Sequence, residues 1–368
     1  RRQRQMCIRD RLIVRFKQIG DSILSSVICN TLKKSFPKSE IDYVVYEHIV
    51  PLFENHPYID NIIPITKEEQ KNPFKYLAKV WKVTRKKYDI VIDIMSTPKS
   101  EFFTLFSLGS KYRIGRKKEY RGITYTHKIS EPLNSKDKVD KFLKMLVPLE
   151  EKYKIIYDNN YTTHITEDEK EYMKNKMLKA GIDFKKPIFI CAATSRRPEK
   201  IYPIIKMEKT INKVVEEFNA QVILFYSPDE KNFIKNLHKQ LNSKNIFANI
   251  ETKSIRELAA LISNCDMFFG NEGGPRHIAQ SLDIPSFAIF SPKSSKKEWL
   301  GNFNEKHQGV EPKDIYPDCS SLSYKDSYLL IQPDYILSKI KEIYSQFIEN
   351  KEEEKNEKSS IYTNNRYA

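Results

Sequence analysis

Asp21 stands after Gly20, at the end of the short link KQIG that follows the apolar run LIVRF, and just ahead of a helical stretch that opens at Ser22. Open parallel sheets bind ligands outside the carboxyl ends of their strands, so a carboxylate placed there can serve as a general base. The same position equally suits a helix N-cap, which Asp favours. The segment Gly270-Asn271-Glu272-Gly273-Gly274-Pro275-Arg276-His277 lies between the apolar run DMFFGN and the helical HIAQSL. Gly273 and Gly274 let backbone approach a ligand closely, Pro275 suits a first helical turn, and free N–H groups at a helix start attract anions. Such a turn fits a phosphate, although an ordinary strand-to-helix turn can have the same composition. It matches neither G-x-G-x-x-G nor G-x-x-x-x-G-K, which removes support from dinucleotide oxidoreductase and P-loop readings.

Two more segments carry polar groups at the ends of apolar runs. Thr194-Ser195-Arg196-Arg197-Pro198-Glu199-Lys200 follows PIFICAA, and its hydroxyls and three cations point at the same phosphate region, the alternative being a solvated loop. Ser227-Pro228-Asp229-Glu230 ends QVILFYS, where an acidic side chain can accept hydrogen bonds from a ribose diol. The chain has no D-x-D pair of the kind that holds a divalent metal to a diphosphate. Its seven histidines show no H-E-x-x-H or other close ligand spacing, so no metal site and no cofactor are expected. His277 stands apart only through its place on the phosphate-facing helix.

Positioning these groups requires strands that end where they begin. Strands are expected at residues 11–16, 41–46, 60–65 and 88–95, with helical stretches such as SILSSVICNTLKKSF between them. The alternation loosens over residues 112–165 and restarts at 187–193, 221–227, 246–250, 266–271 and 285–290. Strand and helix alternating at this spacing gives βαβ units on a parallel sheet. The expected fold is α/β, with two Rossmann-like domains in tandem facing across a cleft. Residues 12–165 form the first domain and 166–332 the second; 333–349 form a late helix opened by Pro and Asp, and 350–368 form a polar tail expected to be disordered.

The chain has 368 residues, enough for two or three domains. No apolar run reaches the ~18 residues of a membrane span. Five scattered cysteines, never spaced C-x-x-C, argue against a disulfide framework or a zinc knuckle and make a reducing cytoplasm the expected setting. Of the net charge of +15, residues 1–150 carry +13. That asymmetry points to an acidic partner such as nucleic acid, a phosphorylated glycan or an anionic membrane surface, against the plainer reading of a solubilising lysine-rich surface. Residues 1–11, RRQRQMCIRDR, have neither a signal-peptide core nor a transit-peptide pattern and read as a non-native extension.

Three segments in this order, RLIVRFKQIGDSILSSVICNTLKKSFP, YDIVIDIMSTPKSEFFTLFSLGSKYRIG and GNEGGPRHIAQSLDIPSFAIFSPKSSKKEW, resemble the ADP-heptose:lipopolysaccharide heptosyltransferase family, glycosyltransferase family 9. The last of them is the most specific. The resemblance implies a GT-B fold and an inverting, metal-independent transfer of sugar, heptose favoured, from a nucleotide-diphosphate donor, ADP favoured. On it Asp21 is the base that deprotonates the acceptor hydroxyl. Lys200 contacts the donor phosphates, Glu230 lies near the nucleoside, and Gly273, Gly274 and His277 fall in the diphosphate turn, with Thr194 a further donor-binding candidate. Glu272 replaces the family's Asp, and Ser291-Pro292-Lys293 replaces its Gly-Pro-Thr. The implied acceptor is an anionic glycolipid, the lipopolysaccharide core, at the inner face of the cytoplasmic membrane, and no nucleic acid is expected. A GT-B-like nucleotide-sugar epimerase and a polyanion-binding or nucleic-acid-binding protein remain the alternatives.

Overall fold

A computed structural model describes residues 10–118, 122–130, 135–300 and 304–349. The chain divides between His164 and Ile165 into two compact units. Each is built on a six-stranded sheet.

The first unit holds β1 (Asp10–Val14), β2 (Glu40–Tyr46), β3 (Asn61–Ile65), β4 (Ile90–Asp93), β5 (Tyr112–Arg116) and β6 (His127–Ile129). Their order across the sheet is β3-β2-β1-β4-β5-β6, and every pairing is parallel. Parallel strands covered on both faces need continuous apolar runs, which is why Leu12, Ile13 and Val14 are all fully buried. Leu12, Val14 and Phe16 pack with Tyr76, Val80 and Phe103 in one core cluster. Val14 sits opposite both Val44 and Asp93, so β1 and β4 end level while β2 runs two residues further, to Tyr46.

Asp10 and Arg11, set aside above with the N-terminal segment, belong to β1; Arg11 is buried with its guanidinium 4.2 Å from the centre of the Phe36 ring. Residues 1–9 and the tail 350–368 lie outside the described residues. β5 and β6 fall in the stretch where the sequence alternation loosens. β5 carries Gly115 as its fourth residue, where a Cβ would lie 2.3 Å from the Tyr125 ring, so the ring occupies the space of the missing side chain.

The second unit repeats the plan with β7 (Ile188–Ala192), β8 (Gln221–Leu224), β9 (Ile246–Phe247), β10 (Met267–Asn271), β11 (Ser286–Ile289) and β12 (His307–Val310), in the order β12-β11-β10-β7-β8-β9. β12 was not anticipated: the run HQGV is short and polar at its start. Gly309 is required in it, since a Cβ would meet the Ala288 carbonyl oxygen at 2.8 Å. The late helix Pro333–Tyr344 continues in a turn at Ser345–Glu349 and delivers Ile336, Ile340 and Ile343 to the core that contains Phe189 and Phe269. Cys29, Cys191, Cys265 and Cys319 are buried free thiols. Among the described residues no helix is long and apolar enough to cross a membrane.

Candidate active site

In the second unit the candidate residues lie past the carboxyl ends of adjacent strands. β10 and β8 flank β7, so the loops after the three are neighbours. Asn271, the last residue of β10, ties two of them together: its Nδ2 donates to the Ala192 carbonyl at 3.0 Å, and its Oδ1 accepts the Tyr202 N–H at 2.8 Å. The loop from β7 is thereby drawn toward the turn after β10. Gly270 makes the close approach possible, with φ +119° and only 2.6 Å between an imagined Cβ and the Ala192 oxygen.

The result is an ion pair between Lys200 Nζ and Glu272 Oε2 at 3.0 Å, with Glu272 buried and Lys200 one-fifth exposed. The Ser291 hydroxyl donates to Glu272 Oε1 at 3.1 Å, so Glu272 is held from two loops at once. Tyr328 Oη donates to the Lys200 carbonyl at 2.9 Å, and Tyr324 Oη donates to that of Glu199, which fixes the backbone carrying the lysine. Lys293 lies over the Tyr324 ring at 5.5 Å. The cluster therefore offers cations and hydroxyls around one buried carboxylate.

The turn after Glu272 opens the helix Gly274–Ser281 with Gly273 as its N-cap and no side chain capping it, leaving backbone N–H groups of the first turn for an anion. His277 is buried in that helix. The Arg276 guanidinium lies 2.6 Å from its Nδ1 and 3.1 Å from its Nε2. Arg276 also donates to the Trp299 carbonyl at 2.8 Å, and the Trp299 ring packs edge-on against His277. His277 is thus held among Arg276 and Trp299 rather than projecting alone. Arg276, fully buried within the motif, has no separate role in the sequence reading, because its contact with Trp299 is not visible there.

Glu230 sits in the short helical turn Pro228–Glu230 and closes a capping box with Ser227, accepting its N–H at 2.9 Å and its hydroxyl at 2.6 Å. Its other oxygen lies 3.5 Å from the Thr194 hydroxyl. Thr194 and Glu230 come together after β7 and β8, while Arg196 and Arg197 stay exposed.

In the first unit Asp21 is the third residue of the helix Ile19–Ser25, whose N-cap is Gln18. The helix starts three residues earlier than the sequence suggests, so Asp21 is not the N-cap. Its Oδ1 accepts from Arg15 Nη2 at 2.6 Å, and Lys138 Nζ stands 4.0 Å away. Arg15 is buried, with its guanidinium 5.0 Å from the centre of the Phe142 ring. Burial pushes the Arg15 pKa down, while Asp21 pulls it back up. Arg15 continues β1 through its N–H bond to the Val44 carbonyl at 3.0 Å, and that fixed backbone aims its side chain at Asp21. Sequence reasoning missed this partner, since six residues across a turn give no periodic signal. Asp93 ends the neighbouring β4 wholly buried, accepting hydrogen bonds from Tyr125 at 2.7 Å and Ser100 at 2.8 Å; burial raises its pKa against the pull of these donors. Among the described residues no three His, Cys, Asp or Glu side chains converge as a metal-binding group.

Two Rossmann-like parallel units in tandem make a GT-B fold. Residues 77–317 match the family described as Glycosyltransferase family 9 (heptosyltransferase), and the chain belongs to that family. It is 25% identical over 301 residues to lipopolysaccharide heptosyltransferase 1 of Campylobacter coli, covering 77% of this chain and 84% of that protein. Its fold is similar to a glycosyltransferase of family 9 from Veillonella parvula, with TM-score 0.79, 19% identity and coverage of 93% and 99% of the two chains. The Escherichia coli ADP-heptose LPS heptosyltransferase II superposes with TM-score 0.71 at 20% identity, covering 92% and 99%.

Proposed function

We propose that this glycosyltransferase transfers heptose from an ADP-linked donor, with inversion and without a metal, to a lipopolysaccharide-core acceptor at the inner face of the cytoplasmic membrane. The observation that carries the reading is the Lys200–Glu272–Ser291 group, gathered from the loops after β7, β10 and β11 beside an uncapped helix start. Family membership and the names of the relatives support the sugar and the acceptor.

In the reaction Asp21 takes the proton of the acceptor hydroxyl as its oxygen attacks the anomeric carbon. The bond from that carbon to the donor phosphate oxygen breaks, and the nucleoside diphosphate leaves with the electron pair. Lys200 and the N–H groups around Gly273 and Gly274 meet the charge that develops there. His277 supports this turn from within the helix, and Thr194 with Glu230 receive the nucleoside. Arg15 holds the Asp21 carboxylate in place.

Thermal shift across ADP-, UDP-, GDP- and CMP-sugars tests the donor. A nucleotide at a hundredfold excess over Kd adds about 2.7 kcal/mol to the folded state. ADP-heptose is expected to give the largest shift, and an absence of shift from every nucleotide would overturn the reading. Turnover of the donor with no acceptor present would point instead to an epimerase, and added EDTA is expected to leave turnover unchanged.

A further inference from the structure

The helix Pro73–Thr84 buries Tyr76, Val80 and Thr84 and turns its other side to water. On that side Phe74 is 84% exposed and Trp81 53%, seven residues apart and so on one helical face. Lys82 and Arg85 are exposed beside them, and the Arg85 guanidinium stands 4.8 Å from the centre of the Trp81 ring. Lys75, on the same side, is paired with Glu68. The face therefore presents two large aromatics bordered by cations.

The neighbouring helix Pro98–Leu105 leads to further exposed apolar side chains. Tyr76 Oη donates to the Lys99 carbonyl at 2.6 Å, and the Tyr76 and Phe103 rings meet edge-on at 6.4 Å, so the two helices pack side by side. Just past the end of the second helix Phe106 and Leu108 are exposed, with Phe106 stacked on Phe102. Ile123, 88% exposed, sits in a turn bound to the same helix through the 2.6 Å Thr104–Thr124 hydroxyl pair and the Gly122 N–H donated to Glu101. Scattered apolar residues on a surface are ordinary, whereas large aromatic and aliphatic side chains gathered on contiguous elements mark a contact surface.

The chemistry of the border selects the occupant. Phe and Trp beside Lys and Arg is the composition of helices that lie in a lipid interface, where aromatic rings enter the acyl boundary and long cationic side chains reach back to headgroups. Without the N-terminal extension, residues 12–150 still carry 25 Lys and Arg against 16 Asp and Glu, a net +9 that is complementary to an anionic surface. We propose that the face centred on Phe74 and Trp81 docks this enzyme onto an anionic lipid bilayer. The inference deepens the reading of a lipid-anchored acceptor made above, by assigning the residues that hold the enzyme at the membrane.

Vesicle sedimentation of the full chain, without nucleotide, tests it. Binding to vesicles of phosphatidylglycerol and phosphatidylethanolamine is expected to weaken with added salt. The double substitution Phe74→Ser, Trp81→Ser is expected to lower the partition coefficient by on the order of tenfold. Lys82→Glu with Arg85→Glu is expected to weaken binding to these vesicles much more than to neutral phosphatidylcholine. The chain has two tryptophans, so Trp299→Phe leaves Trp81 as the reporter, and its emission is expected to shift to the blue and be quenched by brominated lipid. Failure to sediment, equal partition of the double variant, or an unquenched Trp81 would overturn the proposal. A dimer lost in the double variant, with no vesicle binding by the parent, would assign the face to self-association. The nucleotide thermal shift is read in lipid-free solution, so failure of docking and failure of the donor reading are separate results.

Discussion

The carboxylate proposed as the base, Asp21, has an unusual neighbour in Arg15. Arg15 is buried, so water screens its 2.6 Å contact with Asp21 only weakly. Asp21→Asn is therefore expected to do two separable things. Turnover falls by roughly 10²- to 10⁴-fold, the range for losing general-base help, while nucleoside diphosphate affinity measured by calorimetry stays the same. Stability falls as well, because the Arg15 guanidinium loses its charge partner, and breaking a buried pair costs about 3–5 kcal/mol at the upper end. Unchanged turnover together with a lowered urea midpoint would assign Asp21 to the ion pair alone. The place of Asp21 was legible in the sequence, since an acidic residue after an apolar run marks the strand's carboxyl end. Its partner was not: the helix begins at Ile19 instead of Ser22, and that shift of nearly one turn decides which way the carboxylate faces. Glu272 teaches the same lesson. Its position in the turn was visible, but its pairing with Lys200 depends on Asn271 tying two loops together, a contact between residues far apart in sequence.

Strands with strong apolar runs were legible, and the short or polar ones, β5, β6 and β12, were not. β5 reads YRIGR and β12 reads HQGV; in each, glycine is present because a neighbour fills the space of its side chain. Gly115→Ala is expected to displace the Tyr125 ring, 2.3 Å from the new methyl, and with it the hydrogen bond to buried Asp93. Overpacking with loss of that bond costs about 2–4 kcal/mol, whereas Gly109→Ala, with nothing within 4 Å of the new carbon, is expected to be near neutral in the same denaturation assay. A second test concerns the segment that closes the first unit. His56 follows the short helical turn Glu47–Phe53; its Nε2 lies 3.1 Å from the Thr162 carbonyl, and its Nδ1 accepts the Tyr58 N–H at 3.2 Å. Burial pushes its pKa down to about 4, against the pull of the Thr162 carbonyl, and nearby His164 adds to the depression. Between pH 6.5 and 4 the unfolded chain binds a proton that the folded one refuses, so stability falls as pH drops through this window. The contribution is on the order of 3 kcal/mol, and His56→Gln is expected to flatten the urea midpoint between those pH values. Parallel pH curves for the two proteins would assign the loss to other groups.

The proposed tasks divide between the two units. Lys200, Glu272, Gly273, Gly274, His277, Thr194 and Glu230 all lie after Ile165, whereas Asp21 and the Phe74–Trp81 face lie before it. The tandem repetition of two parallel sheets was legible because apolar runs recur at βαβ spacing in both halves, and the chain loses that rhythm only over residues 112–165. The division has a consequence that hydrogen exchange can read. If the donor is held by the loops after β7, β8, β10 and β11, saturating ADP is expected to slow amide exchange in residues 193–202, 227–230, 271–277 and 291–294. The core of the first sheet, from Leu12 to Val14, is expected to exchange as before, since a ligand slows only the openings that disrupt its own site. Lys200→Ala removes a hydrogen bond to a charged phosphate and is expected to weaken ADP by roughly 1.5–3 kcal/mol, so the protection fades at a fixed ADP concentration. Asp21→Asn, altering a residue of the other unit, is expected to leave the same protection pattern intact. Equal fading in both variants would mean that Asp21 takes part in holding the donor, and the assignment of Asp21 to the acceptor hydroxyl would fall.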